Sequence, residues 1–210
     1  MKKIIYSLFA AGLLMSCGSE AETENTEAPE ESTSHEETAA PETTTEETEA
    51  IAFPAGWEEV THEGLTILAV KDSVTNEQMN NFSPILAENY GQIVTYMTGN
   101  GIEFAGAPLT RWITWDTTAY SVYAAGIPVA EGTVAGDGLE IITIDGGTAY
   151  KYTHVGPYEA MQQAHFDIND YMYSTGNLAI GGPWEVYITD PGTEPDPAKW
   201  VSEIWYPMGH

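Results

Sequence analysis

Gly106-Ala107-Pro108-Leu109-Thr110-Arg111-Trp112-Ile113-Thr114 has a counterpart 75 residues further on, Gly181-Gly182-Pro183-Trp184-Glu185-Val186-Tyr187-Ile188-Thr189. The glycine, the proline and the closing Ile-Thr coincide, and Trp112 aligns with Tyr187. Gly101 and Gly176 stand at the same offset just ahead of each match, and each match is followed by a strand-like run that carries a proline near its end, Ala119 to Val129 and Trp200 to Met208. Copies in a repeat are supersecondary units that bury their apolar faces against one another.

Outward from the matches, the two halves read alike. Leu65 to Val70 is a β-rich apolar run. From Thr75 to Thr98, Met79, Phe82, Leu86, Tyr90, Ile93 and Met97 recur at steps of three and four, the stripe of an amphipathic helix. Pro84 predicts that the regular helix begins there with Ser83 as its cap, and Gly99 and Gly101 end it. Two strands follow, Leu109 to Asp116 and Ala119 to Val129. The second half starts with strands Leu139 to Asp145 and Thr148 to His154. Gly156-Pro157 then leads into a helix from Tyr158 to Ser174 that Gly176 terminates, with strands Trp184 to Thr189 and Trp200 to Tyr206 closing the chain. The order is β-α-β-β twice over with an extra strand at the join, an α+β pattern with an antiparallel sheet.

The second half carries a combination of motifs. Gly147-Thr-Ala-Tyr-Lys-Tyr-Thr-His-Val-Gly-Pro-Tyr-Glu159 precedes the helix; Gly182-Pro183-Trp184-Glu185-Val186-Tyr187-Ile188-Thr189-Asp190-Pro191 and Glu203-Ile204-Trp205-Tyr206-Pro207 follow it. Together they resemble the GyrI-like, or AraC-type, effector-binding domain, from about Trp57 to His210. The resemblance implies two β-α-β-β units about a pseudo-twofold axis with a ligand cleft between them. It also implies a glutamate of the last strand, here Glu203, at the floor of that cleft.

A carboxylate in an apolar aromatic strand is costly unless something pairs with it. Lys and Arg are scarce, so Glu203 is expected to lack a basic neighbour and to meet a ligand. Tyr187, Trp112, Tyr152 and Trp205 are the aromatic side chains expected around it, a cage for a flat or amphipathic cation. With Pro207 matched to Pro128, Glu203 aligns with Ala124, so one half supplies the charge. The expected function is binding of a small organic, cationic or amphipathic ligand, without a cofactor. Two alternatives stand beside it: a small-molecule hydrolase with Glu203 as base, as some standalone relatives are, and a non-catalytic scaffold. No protein partner is legible.

The chain's beginning reads differently. Lys2 and Lys3 precede an apolar run, Ile4 to Leu14, shorter than the roughly 20 residues of a spanning helix. Leu14-Met15-Ser16-Cys17 resembles the lipobox of bacterial lipoproteins. That resemblance implies a signal peptide over 1–16, lipid on Cys17, and a place in the cell envelope, on the periplasmic or surface side of the outer membrane. Residues 17–50 then form an acidic tether, with twelve glutamates and no Phe, Trp, Tyr, Lys or Arg, too polar to bury a core. Residues 51–210 form the one folded domain.

Cys17 is the only cysteine, which excludes intrachain disulfides and multi-cysteine zinc sites. His62, His154 and His165 lack metal-ligand spacing, and His165 on the helix stripe reads as a satisfied core histidine. The chain's formal charge is −26, and residues 51–210 hold twenty acidic against four basic residues. That balance argues against nucleic acid as a partner and favours cations.

Overall fold

The computed structural model describes residues 51–209. The expected signal peptide over 1–16, the expected lipid site at Cys17 and the expected tether over 17–50 lie outside the described residues. Eight antiparallel strands form one sheet: β1 (Trp57–His62), β2 (Leu65–Thr75), β3 (Leu109–Thr114), β4 (Tyr120–Pro128), β5 (Glu140–Ile144), β6 (Gly147–Val155), β7 (Trp184–Tyr187) and β8 (Val201–Met208). Three α-helices accompany them, α1 (Asn76–Met79), α2 (Phe82–Asn100) and α3 (Met161–Thr175). The strand order is β1-β6-β8-β7-β3-β4-β2-β5.

That order is symmetric about the β7–β3 seam. One half is β2-α2-β3-β4, the other β6-α3-β7-β8, as the repeat requires. The seam pairs are Leu109–Val186, Thr110–Glu185 and Arg111–Trp184. Thr110 and Glu185 are also 75 residues apart, so repeat mates face each other and the pseudo-twofold axis passes between them. Two strands lie outside the β-α-β-β units. β1 precedes β2 in the chain but pairs with β6, and β5 precedes β6 but pairs with β2. Only β5 is legible as an extra strand in the sequence. β1 escapes because Glu58 and Glu59 interrupt its apolar content.

The sheet is curled. In a flat sheet, strands three apart lie about 14 Å from each other. Here His62 on β1 packs its ring 5.3 Å from that of Trp184 on β7, and Arg111 on β3 donates to the Thr143 carbonyl on β5. The curl brings together the turns after β1 and β5, where Gly64 and Gly146 meet back to back.

Each helix covers its own half. Ile93 and Met97 of α2 pack on Leu68, Val70 and Ile127, while Ile168 and Met172 of α3 pack on Tyr150, Ile204 and Met208. Ile93 and Ile168 are repeat mates, as are Met97 and Met172. Gly101 and Gly176 cap the two helices in the left-handed region, at φ 66° and 71°. The helix starts differ from expectation. Thr75 caps α1 through a capping box with Gln78, and α2 begins at Phe82 with Pro84 inside its first turn. Proline is tolerated there because first-turn N–H groups have no intrahelical acceptor. Likewise Tyr158–Ala160 is a 3-10 turn ahead of α3. The opposite face of the sheet carries Ile67, Leu109, Ala124, Ile144 and Trp184, packed with one another and with no helix.

A methyl group on Gly146 would lie 2.7 Å from the Gly64 backbone nitrogen, where only backbone could yield. Gly146→Ala is therefore expected to destabilise the domain by ~1–3 kcal/mol in urea unfolding. A cost near zero would mean the two turns do not touch.

Candidate functional site

Between the two helices, the helix-facing residues of β3 and β7 form the centre of the sheet. Alternation sends Trp184 and Val186 to the opposite face and Glu185 and Tyr187 toward the helices; Thr110 and Trp112 do the same on β3. Glu185 is only 8% exposed. Its Oε1 accepts from Trp112 Nε1 and from His165 Nε2, both at 3.1 Å, and its Oε2 accepts from the Tyr187 hydroxyl at 2.9 Å.

Two hydrogen-bond chains converge on this carboxylate. On one side Asn169 donates to the Tyr206 hydroxyl (3.0 Å), which lies 2.8 Å from His165 Nδ1. The Tyr206 proton goes to Nδ1, leaving Nε2–H for Glu185. On the other side Tyr187 Oη is also 3.1 Å from Thr110 Oγ1, which is 3.1 Å from the Tyr90 hydroxyl. The single Tyr187 proton goes to the carboxylate, which only accepts, so Thr110 donates to Tyr187 and Tyr90 to Thr110.

The repeat organises this network. Tyr90 and His165 are mates at the 75-residue offset, as are Thr110 and Glu185, and Trp112 and Tyr187. Each helix thus sends one side chain to the seam residue of its own half. Burial pushes the Glu185 carboxyl up, but the hydrogen bond from His165 and that ring's charge when protonated, followed by the hydrogen bonds from Trp112 and Tyr187, outweigh it and hold the group below its ordinary value of 4.5. Tyr187 and Tyr90 are pushed up, first by burial and then by neighbouring groups that include the Glu185 charge, so both stay protonated donors.

Aromatic rings fill the space around Glu185. Tyr158 packs 5.2 Å from Tyr187 and 4.8 Å from Trp200; Trp112 packs against Phe82 and Trp115. Beside Tyr187, on β8, the fully buried Ser202 hydroxyl has no hydrogen-bond partner. Two hollows flank the centre. One of about 570 Å³ is lined by Trp115, Asp116 and Tyr120 at the β3–β4 turn. One of about 260 Å³ is lined by Asn169, Met172, Leu178 and Tyr206. Neither is lined by Glu185.

The expected site residues divide. Tyr187 and Trp112 come together, on Glu185 rather than on Glu203. Tyr152 packs on Trp57 under the β1 edge. Glu203 and Trp205 share a strand face, but it is the face away from the helices, where Trp205 stacks on Trp184. The expectation that Glu203 lacks a basic neighbour is overturned: Lys151 Nζ lies 3.1 Å away and the Trp205 indole N–H 3.1 Å away. Scarcity of lysine says nothing about register, and the β6–β8 register places Lys151 diagonal to Glu203 on the same face. Glu185, His165, Thr110 and Tyr90 are the functional candidates the sequence reading missed. Their signal was the same 75-residue offset: Thr110 and Glu185 lie inside the matched segments, and Tyr90 and His165 stand at that offset on the helices. Among the described residues, no group of three or more His, Cys, Asp and Glu could hold a metal ion.

A family model for the GyrI-like small molecule binding domain matches residues 56–208. The chain belongs to this family. The GyrI-like domain here is similar in fold to the C-terminal domain of EcmrR (18% identity, TM-score 0.60, 73% of this chain and 96% of that one). It is also similar to SAV2435 bound to tetraphenylphosphonium (14%, TM-score 0.54, 73% and 93%). A hydrolase from Listeria innocua shares the fold as well (14%, TM-score 0.50, 73% and 91%). No curated protein matches the chain.

A carboxylate with a depressed pKa adds stability that is present above its unfolded-state pKa and lost as pH falls through its folded-state pKa. Trp112→Phe, which removes one donor, should therefore cost ~1–3 kcal/mol at neutral pH and measurably less in acid. Urea unfolding of wild type and variant across the acid range reads the difference. An equal cost at every pH would mean the indole does not bond an ionised group.

Proposed function

We propose that this GyrI-like domain binds a small aromatic or amphipathic monocation over Glu185, in the groove between α2 and α3. The observation that carries the reading is one ionised, buried carboxylate ringed by Tyr187, Trp112, Tyr90 and Tyr158 with no lysine or arginine near it. Lys71, Arg111 and Lys151 fall on the other face of the sheet, and Lys199 lies in the turn before β8, beside Glu194 and Asp196. A bound cation would supply a permanent counter-charge that no lysine or arginine provides here, and the rings would hold it by stacking and cation–π attraction. Three donors occupy the carboxylate, and a fourth acceptor position stays free. Ser202 offers a ligand one hydroxyl already stripped of partners. The tetraphenylphosphonium complex of SAV2435, a relative in fold, supports this ligand class.

Binding is favoured over hydrolysis by the state of Glu185. A general base works best with a pKa near the working pH, and this carboxyl is held below its ordinary range. Glu203, the other candidate base, is tied to Lys151 and Trp205 on the far face.

Glu185→Gln should weaken tetraphenylphosphonium binding by at least about tenfold while leaving neutral triphenylphosphine oxide unchanged. Isothermal titration calorimetry distinguishes the outcomes, and equal loss for both ligands would refute a charge-based site.

The anchoring belongs to the same proposal. Lipid on Cys17 would hold the domain at the envelope, on the periplasmic or surface side of the outer membrane, with 17–50 as a spacer of like charges that repel and extend. Cys17→Ser should move the protein from the detergent phase to the aqueous phase of a Triton X-114 partition. An unchanged distribution would remove the lipid anchor.

A further inference from the structure

The pseudo-twofold axis constrains what can stand opposite Glu185. Its repeat mate, Thr110, is directly across the β3–β7 seam, and Tyr187 hydrogen-bonds both residues, Glu185 at 2.9 Å and Thr110 at 3.1 Å. A twofold repeat with identical residues at these positions would set two carboxylates face to face. Like charges so placed share a proton, and neither the charge of the groove nor its pH response would then be fixed.

We propose that Thr110 is a specificity-determining residue: it keeps the groove singly charged, so that the site accepts monocations and discriminates against dications. The claim rests on the Glu185 reading of the groove and extends it. Three observations carry it. Thr110 is fully buried, hydrogen-bonded on both sides, and occupies the one position whose side chain is paired with Glu185 by both register and symmetry. The first half is built to hold an acceptor there, since Tyr90 stands to Thr110 as His165 stands to Glu185. And the charged side chains that flank the seam pair on the neighbouring strand positions, Arg111 and Glu203, are turned away, while Asp72 and Asp190 act on Tyr123 and Tyr158. Arg111, beside Thr110, faces Trp184 and Ala124, and Glu203, beside Val186 on β8, is engaged by Lys151. A dication over Glu185 would leave one charge buried and uncompensated.

The test uses the full chain and two ligands, the N-methyl and N,N′-dimethyl bipyridinium ions, which differ by one methyl group and one charge. Calorimetry on wild type should show the monocation bound at least about tenfold more tightly. Thr110→Glu should abolish or invert that preference. Dication binding to it should also release a proton, seen as a dependence of the heat on buffer ionisation, because the two carboxylates share one proton until the dication displaces it. If Thr110→Glu does not fold, the exchange Thr110→Glu with Glu185→Thr restores a single carboxylate, within reach of Tyr90 and Tyr187, and should keep the monocation preference. A wild type that binds both ions equally overturns the proposal and leaves the monocation groove standing. A folded Thr110→Glu with the wild-type ratio, or a folded exchange variant without the preference, also overturns it. If Glu185→Gln fails to weaken the monocation, the groove reading itself falls, and this proposal with it.

Discussion

The structure turns on a three-residue seam. Leu109–Val186, Thr110–Glu185 and Arg111–Trp184 are the pairs that join the two halves of the sheet, and the middle pair straddles the pseudo-twofold axis. Hydrogen bonds from both helices and both seam strands converge on that pair. The helices are anchored elsewhere, each on its own apolar cluster, but each also sends one polar side chain to it: Tyr90 to Thr110, His165 to Glu185. The seam thus ties helix position to the hydrogen bonding of a buried charge, and the cost of an unsatisfied buried charge makes that tie stiff.

A buried carboxylate can be kept ionised by a basic partner or by neutral donors. This domain brings no lysine or arginine to Glu185; its donors are an indole N–H, an imidazole N–H and a phenol O–H. The choice has a functional consequence. A lysine or arginine would cancel the charge, whereas neutral donors solvate it and leave its sign available to a ligand. The few basic residues are disposed accordingly. Glu58, Lys151, Trp205, Trp184, Arg111, Ala124 and Lys71 follow one another as cross-strand neighbours, so three of the four basic residues of 51–210 lie in one row across the face without helices. Strand alternation then keeps those charges on the far side of a packed sheet from Glu185.

Duplication followed by divergence explains the form of the site. Where mates stay alike, they build the scaffold: Ile93 with Ile168, Met97 with Met172, Gly101 with Gly176. Where they differ, they shape the proposed site. Thr110 and Glu185 divide the seam into a neutral and a charged side, and Tyr90 and His165 differ in keeping with that division. Ala124 and Glu203 also differ, but on the other face, where the extra charge is met by Lys151 and the stacked tryptophans carry the packing.

The sequence by itself determined the duplicated α+β plan, the two helix stripes and their glycine stops, the strands of each unit, and the family. Those follow from local periodicity and from the offset, which need no knowledge of which strands pair. It also brought Tyr187 and Trp112 forward, as a tyrosine of the family motif and its mate in the repeat. Only the tertiary structure decided which glutamate lies at the centre. Glu185 and Glu203 both stand in short aromatic strands, and alternation gives each a face without saying which face the helices cover. The swapped pairings of β1 with β6 and β5 with β2, and the register that puts Lys151 against Glu203, are set by contacts between distant parts of the chain. A residue's partner across a sheet is a property of the folded pairing and leaves no mark in the spacing along one strand.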